Sequence, residues 1–78
     1  MFDVVIPGMI IIRKNTTEII LKGRRTRGRR CAERLALVGA HIAELAMFDA
    51  RIDAEVVPTT QYLGSGAYAP VVMVRIVH

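Results

Sequence analysis

The residues best suited to chemistry lie in one stretch, residues 22–34, with the sequence KGRRTRGRRCAER. It holds seven of the eleven basic residues of the chain and a single acid, Glu33. Guanidinium groups form paired hydrogen bonds with phosphate oxygens and also reach guanine edges. So many like charges repel one another unless an anionic partner neutralises them. We call residues 22–34 the basic elbow, and its composition favours contact with a polyanion over catalysis.

A nucleotide-binding loop is an alternative interpretation of the same stretch. Gly23 and Gly28 have the spacing G-x-x-x-x-G between a predicted strand and a predicted helix. However, Arg29 stands where such loops carry lysine, and Arg30 stands where they carry the Ser or Thr that holds magnesium. The chain is also too short for a nucleotide-binding sheet. We therefore do not expect nucleotide hydrolysis, whereas anion binding by the same backbone geometry remains compatible with the sequence.

Other catalytic chemistry has few candidates. Cys31 is the only cysteine, and His41 lies roughly three helical turns further on, too far to act as its base. We expect Cys31 to be a small core residue that faces the sheet. Asp53 and Glu55 could be paired acids, but their spacing equally fits the exposed face of a strand. The sequence predicts no enzyme activity, no catalytic residue, no metal site and no cofactor.

The apolar content is high for so short a chain. The 78 residues are 53% hydrophobic, although only four of them are Phe or Tyr. A chain of this length buries only about 60% of its unfolded surface when it folds alone. We therefore expect a homo-oligomer, and in the first place a homodimer, that buries the excess apolar surface between subunits.

The charge is distributed unevenly. The net charge is +4, whereas the basic elbow alone carries +6, so the rest of the chain sums to −2. Such a cluster attracts nucleic acid, an anionic membrane or an acidic protein. The lone cysteine fits a reducing compartment, and the apolar run of residues 4–12 is too short for a bilayer and is broken by Pro7-Gly8. We expect a cytoplasmic protein without a membrane partner, associated with the nucleoid if it binds DNA.

The elements that position the elbow follow from periodicity and turn residues. Residues 2–6 and 9–13 form either a tight hairpin or one interrupted strand around Pro7-Gly8, and residues 14–17 form a polar turn. Thr26 is the predicted N-cap of the helix. The predicted elements are strands 2–6, 9–13, 18–22, 51–56 and 71–77, a helix over roughly 29–48, and a loop over 58–70. They predict one α+β domain, residues 1–78: a single helix packed on a small mixed four- to five-stranded sheet, in the order β(β)βαββ.

One apolar stripe of the predicted helix has the spacing of a buried face. We expect it to pack on the sheet, with small residues alongside that allow close approach. Ala40 is expected on another side of the helix, and Leu37, Met47 and Phe48 are candidates for a dimer contact. The expected sheet-facing residues are Leu35, Val38, Ile42 and Leu45, with Ala36, Gly39, Ala43 and Ala46 beside them.

The predicted loop carries the only tyrosines of the chain, Tyr62 and Tyr68. Tyrosine rings stack on exposed bases, and neighbouring Thr and Gln side chains can bond to phosphates or groove edges. The stretch of residues 58–70 contains no basic residue. We therefore expect it to supply an accessory contact beside the elbow.

The sequence resembles the Alba family of small archaeal chromatin proteins over about 60 of its 78 residues. Residues 18–24, EIILKGR, are similar to the strand that enters the basic loop of that family, commonly E-I-V-I-K-A-R. The helix from Cys31 to Val38 follows at the family's spacing, with the acid at Glu33. Residues 51–57 and 71–77 resemble its last two strands. The family's first helix has no counterpart, because residues 7–17 are too few and too β-branched.

The resemblance implies an Alba-like dimer that binds DNA or RNA with little sequence preference. It also implies that the basic loop and the paired dimer helices contact the backbone, while the hairpin arm reaches a groove. Lys22 and Arg24 match the family's loop best, and the further arginines extend its charge.

The leading prediction is a non-enzymatic nucleic-acid-binding protein that contacts phosphates through the elbow. If a dimer neutralises about six phosphates, the slope of log affinity against log salt is near −5. The alternative is a structural or assembly protein whose elbow meets an acidic protein surface. The predicted nucleic-acid-binding residues are Lys22, Arg24, Arg25, Arg27, Arg29, Arg30, Arg34, Tyr62 and Tyr68.

Overall fold

The computed structural model describes residues 6–77 as one helix and five strands, in the order βββαββ. The class, α+β with a single helix, agrees with the prediction. The elements are β1 (Met9–Lys14), β2 (Glu18–Gly23), β3 (Thr26–Arg27), α1 (Arg29–Asp49), β4 (Ala54–Gly64) and β5 (Ala67–Ile76).

Strand β5 organises the sheet. It pairs with β4 along one side over its whole length, and with β2 and then β3 along the other side. Strand β1 extends the sheet beyond β2, so that β1 and β4 are its edges. Every pairing among the described strands is antiparallel, which corrects the prediction of a mixed sheet. Because each connection between β1 and β2, and between β4 and β5, is short, an antiparallel arrangement is the one that these loops allow.

The turns at the start of the chain agree with the prediction in part. Pro7-Gly8 forms a turn in which the Met9 N–H donates to the Ile6 carbonyl at 3.1 Å, and Gly8 has φ +80°. The rest of the first predicted strand, residues 2–5, lies outside the described residues. In the polar turn, Asn15 Oδ1 accepts hydrogen bonds from the N–H groups of Thr17 and Glu18. This turn reverses the chain between β1 and β2.

The last two predicted strands pair as a long hairpin, β4–β5, in agreement with the prediction, but the predicted loop over residues 58–70 is wrong because nearly all of these residues belong to the two strands. Only Ser65 and Gly66 form the loop, with φ values of 52° and 72° that suit a type I′ turn. Pro58 is tolerated because β4 is an edge strand. Pro58 and Pro70 at the two ends of this stretch suggest a loop, whereas its Thr and Tyr residues favour a strand.

The face that α1 turns to the sheet also differs from the prediction. The small residues face the sheet, and Leu35, Val38 and Leu45 are 45–58% exposed. Gly39 marks the close approach, because a Cβ there would lie 2.8 Å from Met9 Sδ and 3.2 Å from Val72 Cγ2. Side chains as small as Ala let a helix lie close to a sheet whose own core residues are bulky. The buried residues of α1 are Ala32, Ala36, Gly39, Ala40, Ala43 and Met47. Ala40 and Met47 belong to the core, which corrects their predicted places on another side of the helix and at a dimer contact.

The core lies between this small-residue face of α1 and the sheet. Ile19 and Leu21 of β2 and Val72 and Val74 of β5 are the largest fully buried side chains. Strand alternation therefore places Ile20, Lys22, Val71, Met73 and Arg75 on the opposite face, which carries no helix within the described residues.

Candidate functional site

A gap in the sheet shapes the basic elbow. The β2–β5 ladder ends at the pair Lys22–Val71, and the β3–β5 ladder begins at Thr26–Tyr68. Pro70 lies in the gap, and a proline has no N–H to donate to a ladder. Its ring also packs against Gly23, where a Cβ would lie 2.5 Å from Pro70 Cγ. The chain between the two ladders, Arg24 and Arg25, is therefore exposed.

Helix α1 begins directly after β3, with Gly28 as its N-cap. Gly28 has φ 81° and ψ 144°, a conformation that residues with a Cβ rarely adopt, and no side chain caps the helix. Thr26, the predicted N-cap, lies in β3 instead. Arg29 and Arg30 occupy the first turn, and within the described helix no acid accompanies them there. The free N–H groups and the arginines thus add positive potential at one point.

The tip of the β4–β5 hairpin is fixed to the elbow. The Gly28 N–H donates to the Gly66 carbonyl at 3.2 Å, and Thr26 Oγ1 donates to the Tyr68 carbonyl at 3.0 Å. Arg27 pairs with Ala67 in the same short ladder. The tip and the elbow are therefore one continuous surface, although 42 residues separate Thr26 from Tyr68 in the sequence.

Tyr62 and Tyr68 form an aromatic pair near this tip. They are direct cross-strand partners, with ring centroids 5.2 Å apart and ring planes inclined by 55°. Alternation along β4 places Tyr62 on the same face as Pro58 and Thr60, which border the first turns of α1. The rings thus lie on the helix-bearing face of the sheet, and Tyr62 is 60% exposed.

A shallow groove adjoins the aromatic pair. It has a volume of about 360 Å³ and runs between the first turns of α1 and strand β4. Arg29 and Glu33 form one wall and Thr59 and Thr60 form the other. Thr60 shares the helix-bearing face with Tyr62, so that its hydroxyl group, together with the Arg29–Glu33 ion pair, gives the groove its polar side chains.

The ion pairs of the elbow leave most of its charge unneutralised. Arg29 Nε donates to Glu33 Oε1 at 2.8 Å, and both side chains are largely accessible to solvent. Within residues 6–77, the other six basic residues of the elbow have no ion pair, since the second resolved pair joins Arg13 to Glu18. Five of these six residues are exposed, and Lys22 is half-buried. Their charges are therefore available to an external partner.

The structure brings the predicted site residues together unequally. Arg24, Arg25, Arg27, Arg29 and Arg30 belong to the elbow and the first helical turn, beside the tyrosines. Lys22 lies on the face without a helix, next to β1, and Arg34 lies one turn further along α1. These two residues border the site rather than form it. Thr26, Gly28 and Pro70 shape the backbone of the site, although they are not among the predicted site residues. Only a signal for pairing between distant parts of the sequence could have identified this role.

The candidates for catalysis are dispersed in the structure. Cys31 is exposed on the surface of α1, which corrects its predicted place in the core. Because the sheet-facing positions are 32, 36, 40 and 43, position 31 falls away from the sheet. No cluster of His, Cys, Asp or Glu that could hold a metal occurs among residues 6–77. Helix α1, the one helix of that range, lacks the apolar length that a bilayer-spanning helix requires.

Comparisons of the chain with family models, with curated proteins and with solved structures found no match.

Proposed function

We propose that this protein binds nucleic acid, DNA or RNA, through the basic elbow, without enzymatic activity and with little sequence specificity. The observation that carries the proposal is the unneutralised charge: four exposed arginines without an ion pair, Arg24, Arg25, Arg27 and Arg30, lie beside a helix N-terminus that no side chain caps, and Lys22 and Arg34 border them. Arginine forks and helix N-termini both bind phosphate groups. Affinity that depends mainly on phosphates carries little sequence information. The resemblance to the Alba family agrees with this function.

The test is a titration of labelled duplex DNA and RNA at several salt concentrations. We expect a steep salt dependence for the wild-type protein. In the variant Arg27→Ala/Arg29→Ala/Arg30→Ala, three phosphate contacts are lost. The plot of log affinity against log salt should therefore become less steep by about 2.7, and the affinity at 0.1 M salt should fall by about two orders of magnitude. The matched control, Arg13→Ala/Arg51→Ala/Arg75→Ala, removes the same charge outside the elbow and should lower affinity far less. Equal losses in the two variants, or no binding at low salt, would contradict the proposal.

We also propose that the protein pairs with a second copy through an exposed stripe of α1. Cys31, Leu35, Val38, Ile42 and Leu45 follow one another at spacings of four and three, the pattern of a helix that packs on another helix. All of them are exposed except Ile42, which is half-buried against the core. The stripe borders an apolar groove of about 240 Å³ beside β1. Exposed aliphatic side chains at this spacing gain free energy when a partner helix covers them.

The elbow remains accessible in such a dimer. Arg24 and Arg27 precede α1, so that they lie beyond the paired helices and keep their charge for phosphates.

The dimer is tested by the mass in solution. We expect wild-type protein to be a dimer, Val38→Glu to be a monomer, and Leu37→Glu, which changes an exposed leucine outside the stripe, to remain a dimer. Mild oxidation reports the orientation of the helices, because only a parallel arrangement brings the two Cys31 thiols close enough for a disulfide. A wild-type monomer would contradict the pairing altogether.

The alternative function, an assembly protein whose elbow meets an acidic protein surface, has one observation in its favour. The acidic end of α1, with Glu44 and Asp49, is a surface of opposite charge on the same chain, and head-to-tail contacts between elbow and acidic end would build open or closed assemblies. Such a protein would have a mass greater than that of a dimer, and Asp49→Lys would cause the assembly to dissociate. A dimeric mass that is unchanged in Asp49→Lys rejects this alternative.

A further inference from the structure

The chain places both of its tyrosines at the tip of the hairpin, and it contains no tryptophan. Their rings form the pair with a 5.2 Å centroid distance, and Tyr62 is 60% exposed. A cross-strand aromatic pair contributes to hairpin stability. That contribution does not require an exposed ring on a surface surrounded by arginines.

The hydrogen-bonded tip connects the rings to the elbow. Thr26 is the cross-strand partner of Tyr68 and shares its face, and Arg27 and Arg29 follow it along the chain at exposed positions. On the other side, Thr60 precedes Tyr62 by two positions on the same face and lines the groove beside the first turns of α1. The rings therefore adjoin the elbow that would hold the backbone of a strand whose bases stack on them.

Bases that are paired in a duplex stack on each other, and they offer side chains only their edges in the grooves. Unpaired bases expose their faces, and proteins that bind single strands combine aromatic rings with a basic path for the backbone. The described surface has both parts. The Gly28–Gly66 and Thr26–Tyr68 hydrogen bonds hold the tip of the hairpin against the elbow, so that the rings and the basic residues belong to one surface.

We propose that Tyr62 and Tyr68 stack on unpaired bases, so that the protein binds single-stranded nucleic acid in preference to duplex. This inference rests on the proposed function of the elbow, which supplies the phosphate contacts. Tyr62 is the residue in direct contact with the base, and Tyr68 supports its ring from the neighbouring strand. Gly64 and Gly66, at φ +92° and +72°, carry no side chains, and no atom lies within 4 Å of the position of a Cβ at either residue, so that there is open space at these two positions beside the rings.

Because the chain contains no tryptophan, the tyrosine fluorescence of the wild-type protein can be used to detect base stacking. Excitation of tyrosine reports only on Tyr62 and Tyr68, so that stacking of a base is measured as quenching of their emission. We expect oligo(dT) to quench this emission at saturation, and a hairpin-free duplex of equal charge to leave most of it unchanged. Oligo(dT) that binds without quenching the emission would overturn the inference.

Variants separate stacking from hairpin stability. We expect Tyr62→Ala to weaken binding to oligo(dT) by about tenfold, since stacking on one ring contributes about that factor, and to leave duplex binding within about twofold. Tyr62→Phe retains a ring and should bind oligo(dT) within about twofold of wild type. Phe48→Ala, which removes the other highly exposed aromatic ring at the far end of α1, should bind both ligands normally.

The outcomes distinguish the two proposals. If Tyr62→Ala weakens single-strand and duplex binding equally, the tyrosines are not a stacking surface, while the elbow remains the phosphate site. If neither ligand binds at low salt, the proposed function fails and this inference fails with it. If Tyr62→Ala does not fold, the wild-type quenching and the Tyr62→Phe affinity decide the question.

Discussion

The two ends of α1 carry opposite charges, and each charge opposes the helix dipole. Arg29 and Arg30 lie in the first turn, where the dipole is positive, and Asp49 lies in the last turn, where it is negative. Within residues 29–49, the first turn contains no acid and the last turn contains no base. The charges are therefore placed in the order that is least favourable for the isolated helix.

The backbone at the two ends is treated differently. At the acidic end, the Arg51 N–H donates to the Phe48 carbonyl at 3.1 Å and the Ile52 N–H to the Met47 carbonyl at 3.0 Å. These two bonds form a Schellman motif around Arg51, which has φ +57°. At the basic end no side chain caps the helix. The backbone carbonyls at the acidic end thus accept hydrogen bonds from the protein's own chain, whereas the N–H groups at the basic end are free to donate to a phosphate.

The largest effect that we expect from this comparison is on nucleic-acid affinity. Arg30→Glu replaces a phosphate contact by a repulsive charge and should weaken binding at 0.1 M salt by about 10- to 100-fold. Asp49→Lys adds the same magnitude of charge about 30 Å away, roughly three Debye lengths, and should change affinity less than about threefold. Equal and opposite changes in the two titrations would show that net charge, and not the elbow, determines binding.

The next effect concerns the backbone at the basic end. Gly28→Ala places a Cβ on a residue with φ 81° and ψ 144°, which should lower the free energy of unfolding by about 1–3 kcal/mol. No atom lies within 4 Å of the added Cβ, so the loss comes from the backbone conformation and not from a clash. Chemical denaturation measures it. The control Ala50→Gly changes the C-cap, whose φ of −79° suits any residue, and should cost less. A variant that is as stable as wild type would mean that the helix start adopts another conformation.

At the acidic end the corresponding change should stabilise the protein. Arg51→Gly places glycine at the left-handed position that a Schellman motif favours, and should raise the free energy of unfolding by about 0.5–1 kcal/mol. Thermal and denaturant unfolding both measure this gain. Arg51→Ala is the matched control, because it removes the same charge but keeps the Cβ. If both variants have the same stability, the effect of Arg51 comes from its charge and not from its backbone conformation.

The sequence predicts the local elements well and their mutual placement poorly. The helix was expected over residues 29–48 and is Arg29–Asp49, and β2 was expected over 18–22 and is Glu18–Gly23. These elements follow from local periodicity and flanking turns. The seven basic residues of the elbow are also evident from composition alone.

The association of the elbow with the hairpin tip could not be predicted from local pattern. It depends on the Thr26–Tyr68 pairing across 42 residues, for which a two-residue strand gives no periodic signal. The sheet-facing side of α1 was misassigned for a different reason. Both the small and the large apolar residues recur at helical spacing, and hydrophobicity alone does not indicate which stripe allows the closer approach. Gly39 was the available signal, because its missing side chain marks the side that needs room.

The smallest effect separates stability from function at the two ends. Arg30→Glu and Asp49→Lys both bring the terminal charge into agreement with the dipole, and each should raise the free energy of unfolding by about 0.3–1 kcal/mol at low salt. In Arg30→Glu this gain accompanies the loss of affinity, whereas in Asp49→Lys affinity is retained. Denaturant unfolding at 20 mM and 500 mM salt measures the gain and its screening. If Arg30→Glu instead lowers the free energy of unfolding, Arg30 has a structural partner in the folded protein. The unfavourable charge in the first turn of α1 could then no longer be attributed to binding.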